Sequence, residues 1–430
     1  MFYVLLALRA ELRLREHFDA ATQPRLDALL DLVALGTVAD LVRLDENNRI
    51  LVEQGLRRIR AGACSHGITA LLRVAGREPA KASAQDLGFY VGPRLNAAGR
   101  LDDMTLGIQC LLACSEVEAT VIAQQLHTLN LQRRSIEADM QDSANVALDD
   151  AEMEDRYSIS MFDPDWHQGV IGILASRLKE RHHRPVIAFA DAGDGLIKGS
   201  GRSIAGLHLR DALDLLSKHQ PDLIQKFGGH AMAAGLTIRA ADFELFRQGF
   251  ETVVRSLITE ADLESVLEVD GSLSGDDMTY QTAQILENQV WGQGFAPPVF
   301  FGEFDVISRR VLAEKHLKLT LRPAAAHAAP ARAGAEIDAI YFNQTELPGN
   351  HIQAAYQLQT NSYNGAQKVQ LVRYRVGRLS AGQRRVHLVI VQTHHGLARR
   401  ALVARRHQRV ERQWVLVGCG ALLLEEATQH

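Results

Sequence analysis

Tyr157-Ser-Ile-Ser-Met-Phe162, then Gly169 to Arg181, then Pro185-Val-Ile-Ala-Phe-Ala190 read in turn as strand, helix and strand. A Gly-rich run (Gly193, Gly195, Gly199, Gly201) separates further short strands, and helical periodicity returns near Leu209 to Leu216 and Phe243 to Leu257. Strands alternating with helices over about a hundred residues define a compact α/β domain. Downstream, Val299–Val311, His316–Leu321, Ile337–Phe342, His351–Gln359 and Gln367–Tyr374 are five short β segments, the count and spacing of a small OB-type barrel. The Ala/Pro-rich stretch Pro323 to Gly334 reads as a loop between two of those strands.

Upstream, no Gly or Pro occurs from Ile108 to Asp163, and Ile122, Leu126, Leu129, Ile136 and Met140 recur at helical spacing. That marks a long helix, either a connector between domains or a buried core helix. Residues 24 to 60 read as helix, short strand and helix, with Gly36-Thr37-Val38-Ala39-Asp40 as the strand-like run. The first residues, Phe2 to Leu12, have the period of an amphipathic helix with no capping residue before it, as a chain cut within a helix would show. They lack a basic leader, and Arg9 interrupts the apolar run too early for a membrane span.

Of the 430 residues, 47% are apolar and 23% charged, a globular balance with a net charge of −4. From Val376 onward nine Arg, no Lys and three Glu give +6, leaving −10 on the first 375 residues. A wholly basic coat for nucleic acid is thereby excluded, while a local basic channel is not. The 376–430 segment is either a basic tail or a foreign, out-of-frame end. Four cysteines without CxxC spacing exclude a disulfide scaffold and a Cys-rich zinc site, and point to the reducing cytoplasm.

Five stretches carry candidate chemistry. Asp40 ends an apolar run, where it could cap the next segment or bind a hard cation. Gly92-Pro93-Arg94-Leu95-Asn96-Ala97-Ala98-Gly99-Arg100 sets two arginines and an asparagine among small residues, suited to a phosphate in a tight turn or to pairing with Asp102 and Asp103. His167, in Trp166-His167-Gln168-Gly169, stands just before a helix start, where free N–H groups favour anions. Asp163-Pro164-Asp165 beside it reads as a turn rather than a metal motif. Ser200 and Arg202, two apart, share one face of a strand, and Arg202 could pair internally with Asp191 or Asp194. In Phe227-Gly228-Gly229-His230, the glycines suggest close approach of a ligand to His230. Together these describe a phosphate-binding cleft.

Residues 32–56, 92–103, 166–181, 199–204 and 227–235, in this order, resemble motifs of the RecJ single-strand-specific DNA exonucleases of the DHH phosphoesterase superfamily. Residues 354–372 resemble the end of the family's OB domain, and the similarity spans about Met1 to Tyr374. The resemblance implies an α/β multidomain chain. Residues 1–107 would be the C-terminal part of a DHH catalytic domain, 108–152 a connecting helix, 153–263 the DHH-associated domain, 264–375 the OB fold and 376–430 the tail. It further implies 5′-to-3′ hydrolysis of single-stranded DNA with Mn²⁺ or Mg²⁺, in DNA repair and recombination. A single-strand-binding protein and a helicase would be partners, and no membrane is involved. By resemblance Asp40 is a metal carboxylate and His230 a catalytic group. Arg94, Asn96, Arg100, His167, Ser200 and Arg202 would surround substrate phosphates, the 5′-terminal one included.

The departure from the family lies in its first motifs, an Asp-x-Asp pair, another Asp and the Asp-His-His triplet. The His pairs here are His182-His183 and His394-His395, neither preceded by Asp. One carboxylate cannot hold the two cations such hydrolysis needs, so the chain is expected to be a truncated, inactive member. Two alternatives are a non-catalytic single-strand-binding scaffold and a DHH phosphodiesterase for short oligonucleotides. In the barrel, Lys315, Lys318, Arg322, Tyr341, Phe342 and Tyr356 are candidates for a strand-binding groove or for the core.

Overall fold

The computed structural model describes residues 1–148, 155–324, 336–361, 367–375 and 387–390. It divides into two compact units, one of residues 1–265 with 290–295 and one of the remainder.

The first unit opens with α1 (Phe2–Leu14), α2 (Leu30–Ala39), α3 (Glu46–Arg60) and α4 (His66–Val74). The run expected as a strand, Gly36 to Ala39, is instead the last turn of α2, and Asp40 is its C-cap residue. Its β-branched residues are overridden by packing, a routine outcome for a weak local preference. Gly55 of α3 lets the two helices touch, since a Cβ there would lie 2.4 Å from the Ala34 Cβ. Thr37 Oγ1 meanwhile donates back to the Val33 carbonyl at 2.7 Å. The cap of α3 is Asp45, which accepts from Asn48 N, and not Asp40.

A single turn, α5 (Ala84–Asp86), and a π-helical turn over Leu87–Val91 lead into α6 (Gly92–Leu101). The tight turn expected for this glycine-rich run is therefore a helix. Pro93 sits in its first turn, where a missing N–H costs nothing. Gly92 is small for packing, because a Cβ would come within 3.2 Å of the Ala39 Cβ. After α7 (Thr105–Leu112), Ser115 caps α8 (Glu116–Ala147), a helix of 32 residues. Ala119, Ala123 and Leu126 of α8 belong to the core under α2–α4, while Met140 and Ala144 belong to a second core further on. The long helix is thus both connector and core element.

The second core lies in a five-stranded sheet ordered β1-β2-β3-β5-β4. Its strands are β1 (Ile159–Phe162), β2 (Val186–Gly193), β3 (Leu196–Arg202), β4 (Lys226–Gly229) and β5 (Ala233–Arg239). Only β1 and β2 pair in parallel. Alternation along β2 builds both layers. Val186, Ala188 and Ala190 pack on α9 (Ile171–His182), whereas Ile187 and Phe189 pack on α10 (Leu209–His219) and α11 (Phe243–Leu257). The segment 290–295 joins this unit through the Leu44 N to Gln293 O bond at 2.7 Å, and Arg49 lies 3.8 Å over the Phe295 ring.

The second unit is a closed barrel ordered β10-β11-β9-β8-β7. The strands are β7 (Phe300–Leu312), β8 (His316–Pro323), β9 (Ile337–Tyr341), β10 (His351–Asn361) and β11 (Lys368–Arg375). Each falls within two residues of its expected span. Helix α12 (Tyr280–Glu287) is tied to β10, where Thr360 donates to both Glu287 carboxylate oxygens at 2.7 Å. Tyr356, one of the groove candidates, is core instead: it is 1% exposed beside Phe300 and Phe304, and burial pushes its phenol pKa up. β6 (Val266–Val269) pairs in parallel with β12 (His387–Ile390), which lies in the Arg-rich tail. Most of the Pro323–Gly334 loop and the rest of that tail fall outside the described residues.

Candidate phosphate site

The site is built where α9 begins. Strand alternation puts Ser200 and Arg202 on the face of β3 that looks toward α9, and Gly199 and Gly201 on the other. Those two glycines admit the core, not a ligand: a Cβ at Gly199 would lie 2.6 Å from the Phe189 ring, and one at Gly201 would lie 2.8 Å from Leu209. The glycine that serves the site is Gly172, in the first turn of α9, where a Cβ would come within 2.9 Å of both Ser200 Oγ and Arg202 Nη2. The serine–arginine pair therefore lies against the first turn of α9, whose Val170, Ile171, Ile173 and Leu174 amides are already taken by the His167 and Val170 carbonyls.

Arg100, at the end of α6, joins them by donating from Nη1 to the Gly169 carbonyl at 2.9 Å. The same glycine donates its N–H to His167 Nδ1 at 3.0 Å. His167 is exposed and lies one turn ahead of α9 rather than directly at its start. Arg202 donates from Nη1 to the Gly201 carbonyl at 2.7 Å and to Ser200 Oγ at 3.2 Å. Among the described residues it pairs with no carboxylate, so the internal pairing with Asp191 or Asp194 does not form. Burial holds the Arg202 pKa below the usual guanidinium range and the Arg100 charge adds to this; burial likewise lowers that of Arg100. Two partly buried like charges bonded to neutral groups favour an anion between them.

Across the sheet the same face is nearly bare. Ser200 pairs with Gly235, and Gly235 with Gly228, where a Cβ would meet nothing within 4 Å. The next row, Lys198–Thr237–Lys226, supplies two exposed lysines. A trough of backbone with cationic side chains along it suits a phosphodiester chain.

The remaining candidates lie elsewhere. Arg94 is 8% exposed and turned to α8, donating to His127 Nδ1 at 3.1 Å and to the Tyr90 carbonyl at 2.7 Å. Asn96 is exposed one turn before Arg100 on α6. His230 is exposed in the β4–β5 turn, its N–H bonded to the Ala233 carbonyl at 2.8 Å. Gly229 is required by that turn, with φ at +147° and a would-be Cβ 2.4 Å from the Ala233 carbonyl oxygen. Asp163-Pro164-Asp165 is a turn, closed by Asp165 N donating to Asp163 Oδ1 at 2.9 Å. Asp40 is exposed. Among the described residues no three His, Cys, Asp or Glu side chains are grouped to hold a metal ion, so these residues do not fit a two-cation centre. No described helix is long and apolar enough to cross a membrane.

Sequence reasoning missed Gly172, which was legible as a small residue in the helical turn after His167.

Residues 154–256 match the DHHA1 domain family and residues 269–373 the RecJ OB domain family. The α/β domain and the barrel after it are thus each matched by one family, and the chain is similar to the RecJ exonucleases along most of its length. It is 49% identical to the single-stranded-DNA-specific exonuclease RecJ of Dickeya dadantii and 48% to that of Escherichia coli, in each case over 86% of this chain and 65% of the relative. It thus spans just under two thirds of the length of these relatives. The crystal structure of Thermus thermophilus RecJ in complex with Mg²⁺ superposes with a TM-score of 0.68 at 27% identity, covering 84% of this chain and 53% of that one. The Mn²⁺ complex of the same protein gives 0.67.

Proposed function

We propose that this chain supplies the strand-holding part of a RecJ-type 5′-to-3′ single-stranded-DNA exonuclease acting in DNA repair and recombination in the cytoplasm. The observation that carries the proposal is the Ser200–Arg202–Arg100 cluster beside the first turn of α9, cationic and hydrogen-bonded to no carboxylate among the described residues. In this reading Arg202 and Arg100 bind the 5′-terminal phosphate, Ser200 donates to it, and the glycine-floored trough with Lys198 and Lys226 carries the following phosphates. Asn96 and His167 border the pocket, Arg94 braces α6 against α8, and His230 faces the strand from the β4–β5 turn. The OB barrel holds bases further along.

Divalent Mn²⁺ or Mg²⁺ is the metal we assign to the intact reaction, with Asp40 as the one matching carboxylate in these residues. The chain by itself is therefore proposed to bind the strand without cutting it. A single-strand-binding protein and a helicase are its proposed partners, and 1–107, 108–152, 153–263 and 264–375 its proposed domains. The barrel favours this reading over a phosphodiesterase for short oligonucleotides.

Titration of the full chain with otherwise identical 5′-phosphorylated and 5′-hydroxyl single strands tests the pocket. One added charge-assisted contact should favour the phosphorylated end by about tenfold or more. Equal affinities would reject the assignment.

A further inference from the structure

Glu137 of α8 is 8% exposed, deep for a carboxylate. It accepts from Arg133, one turn earlier on α8, and from Arg177 Nε of α9 at 3.0 Å. The other amino group of Arg133 is held by Asn130 Oδ1 at 2.8 Å. The arginines also feel one another. Arg133 lies within electrostatic reach of Arg100 and Arg177, Arg100 within reach of Glu137, and Arg202 within reach of Arg100. Guanidinium groups of α8 and α9 thus share one buried carboxylate, and Arg100 of α6, next to Arg202 of β3, lies within its electrostatic reach. Among the described residues the other acid paired with them, Glu180, is 58% exposed and 3.5 Å from Arg177.

Such an arrangement leaves a surplus of positive charge next to the phosphate pocket. A buried carboxylate among several guanidinium groups both fixes their directions and cancels part of their field. We propose that Glu137 is the internal counter-ion of the arginine cluster: a positioning residue that stands in for phosphate when none is bound and keeps phosphate affinity low enough for exchange. The inference rests on the pocket reading above. It adds to that reading a reason for exchange, since each nucleotide removed leaves a new 5′-terminal phosphate to be bound.

The sign of the effect separates this role from a merely structural one. Removing a negative charge beside an anion site strengthens anion binding, whereas loosening the side chains that form the site weakens it. Glu137→Gln keeps the shape and one hydrogen-bonding oxygen while removing the charge. Inorganic phosphate and a 5′-phosphorylated single strand are titrated against the wild-type full chain and this variant at one ionic strength. The variant should bind both about three- to tenfold more tightly, the size of one unit charge at intermediate dielectric after screening. It should also melt lower than wild type in chloride and regain most of that loss in phosphate.

Unchanged or weaker phosphate binding, or a melting loss that phosphate does not restore, would overturn the inference. Should Glu137→Gln fail to fold, the paired change Glu137→Gln with Arg177→Gln removes the stranded cation as well. It should fold and bind phosphate as wild type does; its failure to do so counts equally against the idea. A wild-type chain blind to the 5′-phosphate would sink the pocket reading and this inference together. A wild-type preference without tightening in the variant would sink the inference alone.

Discussion

Replacing Arg202 by alanine should separate affinity from stability. Nη1 of Arg202 is already engaged by the Gly201 carbonyl at 2.7 Å and Ser200 Oγ at 3.2 Å, so Nε and Nη2, the latter beside Gly172, are the donors left for an incoming phosphate. Losing one charge-assisted bond of about 1.5–3 kcal/mol weakens binding of a 5′-phosphorylated strand by about one to two orders of magnitude. A 5′-hydroxyl strand loses no more than about fivefold, the effect of one screened charge. Stability behaves differently. Burial and the Arg100 charge both depress the Arg202 pKa, so the charge itself adds nothing to the stability of the folded, DNA-free protein, and Arg202→Ala should lower the melting temperature by no more than its two lost hydrogen bonds account for. Fluorescence anisotropy with the two strands and a thermal melt of each protein give all three readings. Equal losses on both strands, or a melting loss with affinity intact, would refute the pocket and make Arg202 a structural residue.

Gly172→Ala places a methyl 2.9 Å from both Ser200 Oγ and Arg202 Nη2. It should reduce the preference for a 5′-phosphate in the same titration and cost about 1–3 kcal/mol in a denaturant melt, the usual range for overpacking. In the barrel, Tyr356→Ala should cost about 3–5 kcal/mol, as deletion of a buried aromatic does. Phe342, 50% exposed, should leave stability unchanged as alanine but weaken strand binding by about 1–3 kcal/mol if a base stacks on it. The thiols offer a pH test. Burial raises Cys110 to about 11, so it stays protonated until pH nears that value, whereas Cys114 is exposed. A thiol-specific reagent at pH 8, followed by peptide mass spectrometry, should label Cys114 and spare Cys110.

The barrel was legible because β8 alternates strictly and its neighbours do so over part of their length. Along β8, Leu317, Leu319 and Leu321 are buried while His316, Lys318, Thr320 and Arg322 are less so, and that period appears in the sequence without help. Residues 36–40 were not legible, because what makes them helical is Gly55, 15 residues further on, admitting Ala34 at close range. Glu137 was hidden for a similar reason. On α8 it forms with Arg133 an ordinary pair four residues apart, of the kind found on any solvated helix. Arg177, from another element, changes its meaning.

Gly199 and Gly201 flank Ser200 and invite the idea that they open it to a phosphate, but the sequence itself argues against that. If Ser200 and Arg202 share one face of a strand, the residues between and before them must occupy the other. Glycines on that opposite face cannot open the serine–arginine side to a phosphate. Their task had to lie toward the core, and Phe189 and Leu209 fill the space they leave. The room for a phosphate then had to come from the element facing Ser200 and Arg202. The glycines on the element that faces them are Gly169, just before α9, and Gly172, in its first turn. Gly169 admits the Arg100 carbonyl, with a would-be Cβ 2.2 Å from its oxygen, and Gly172 admits Ser200 and Arg202. Substituting Gly172 should therefore damage the pocket, while enlarging Gly199 should damage the core and leave the distinction between 5′ ends intact in whatever protein still folds.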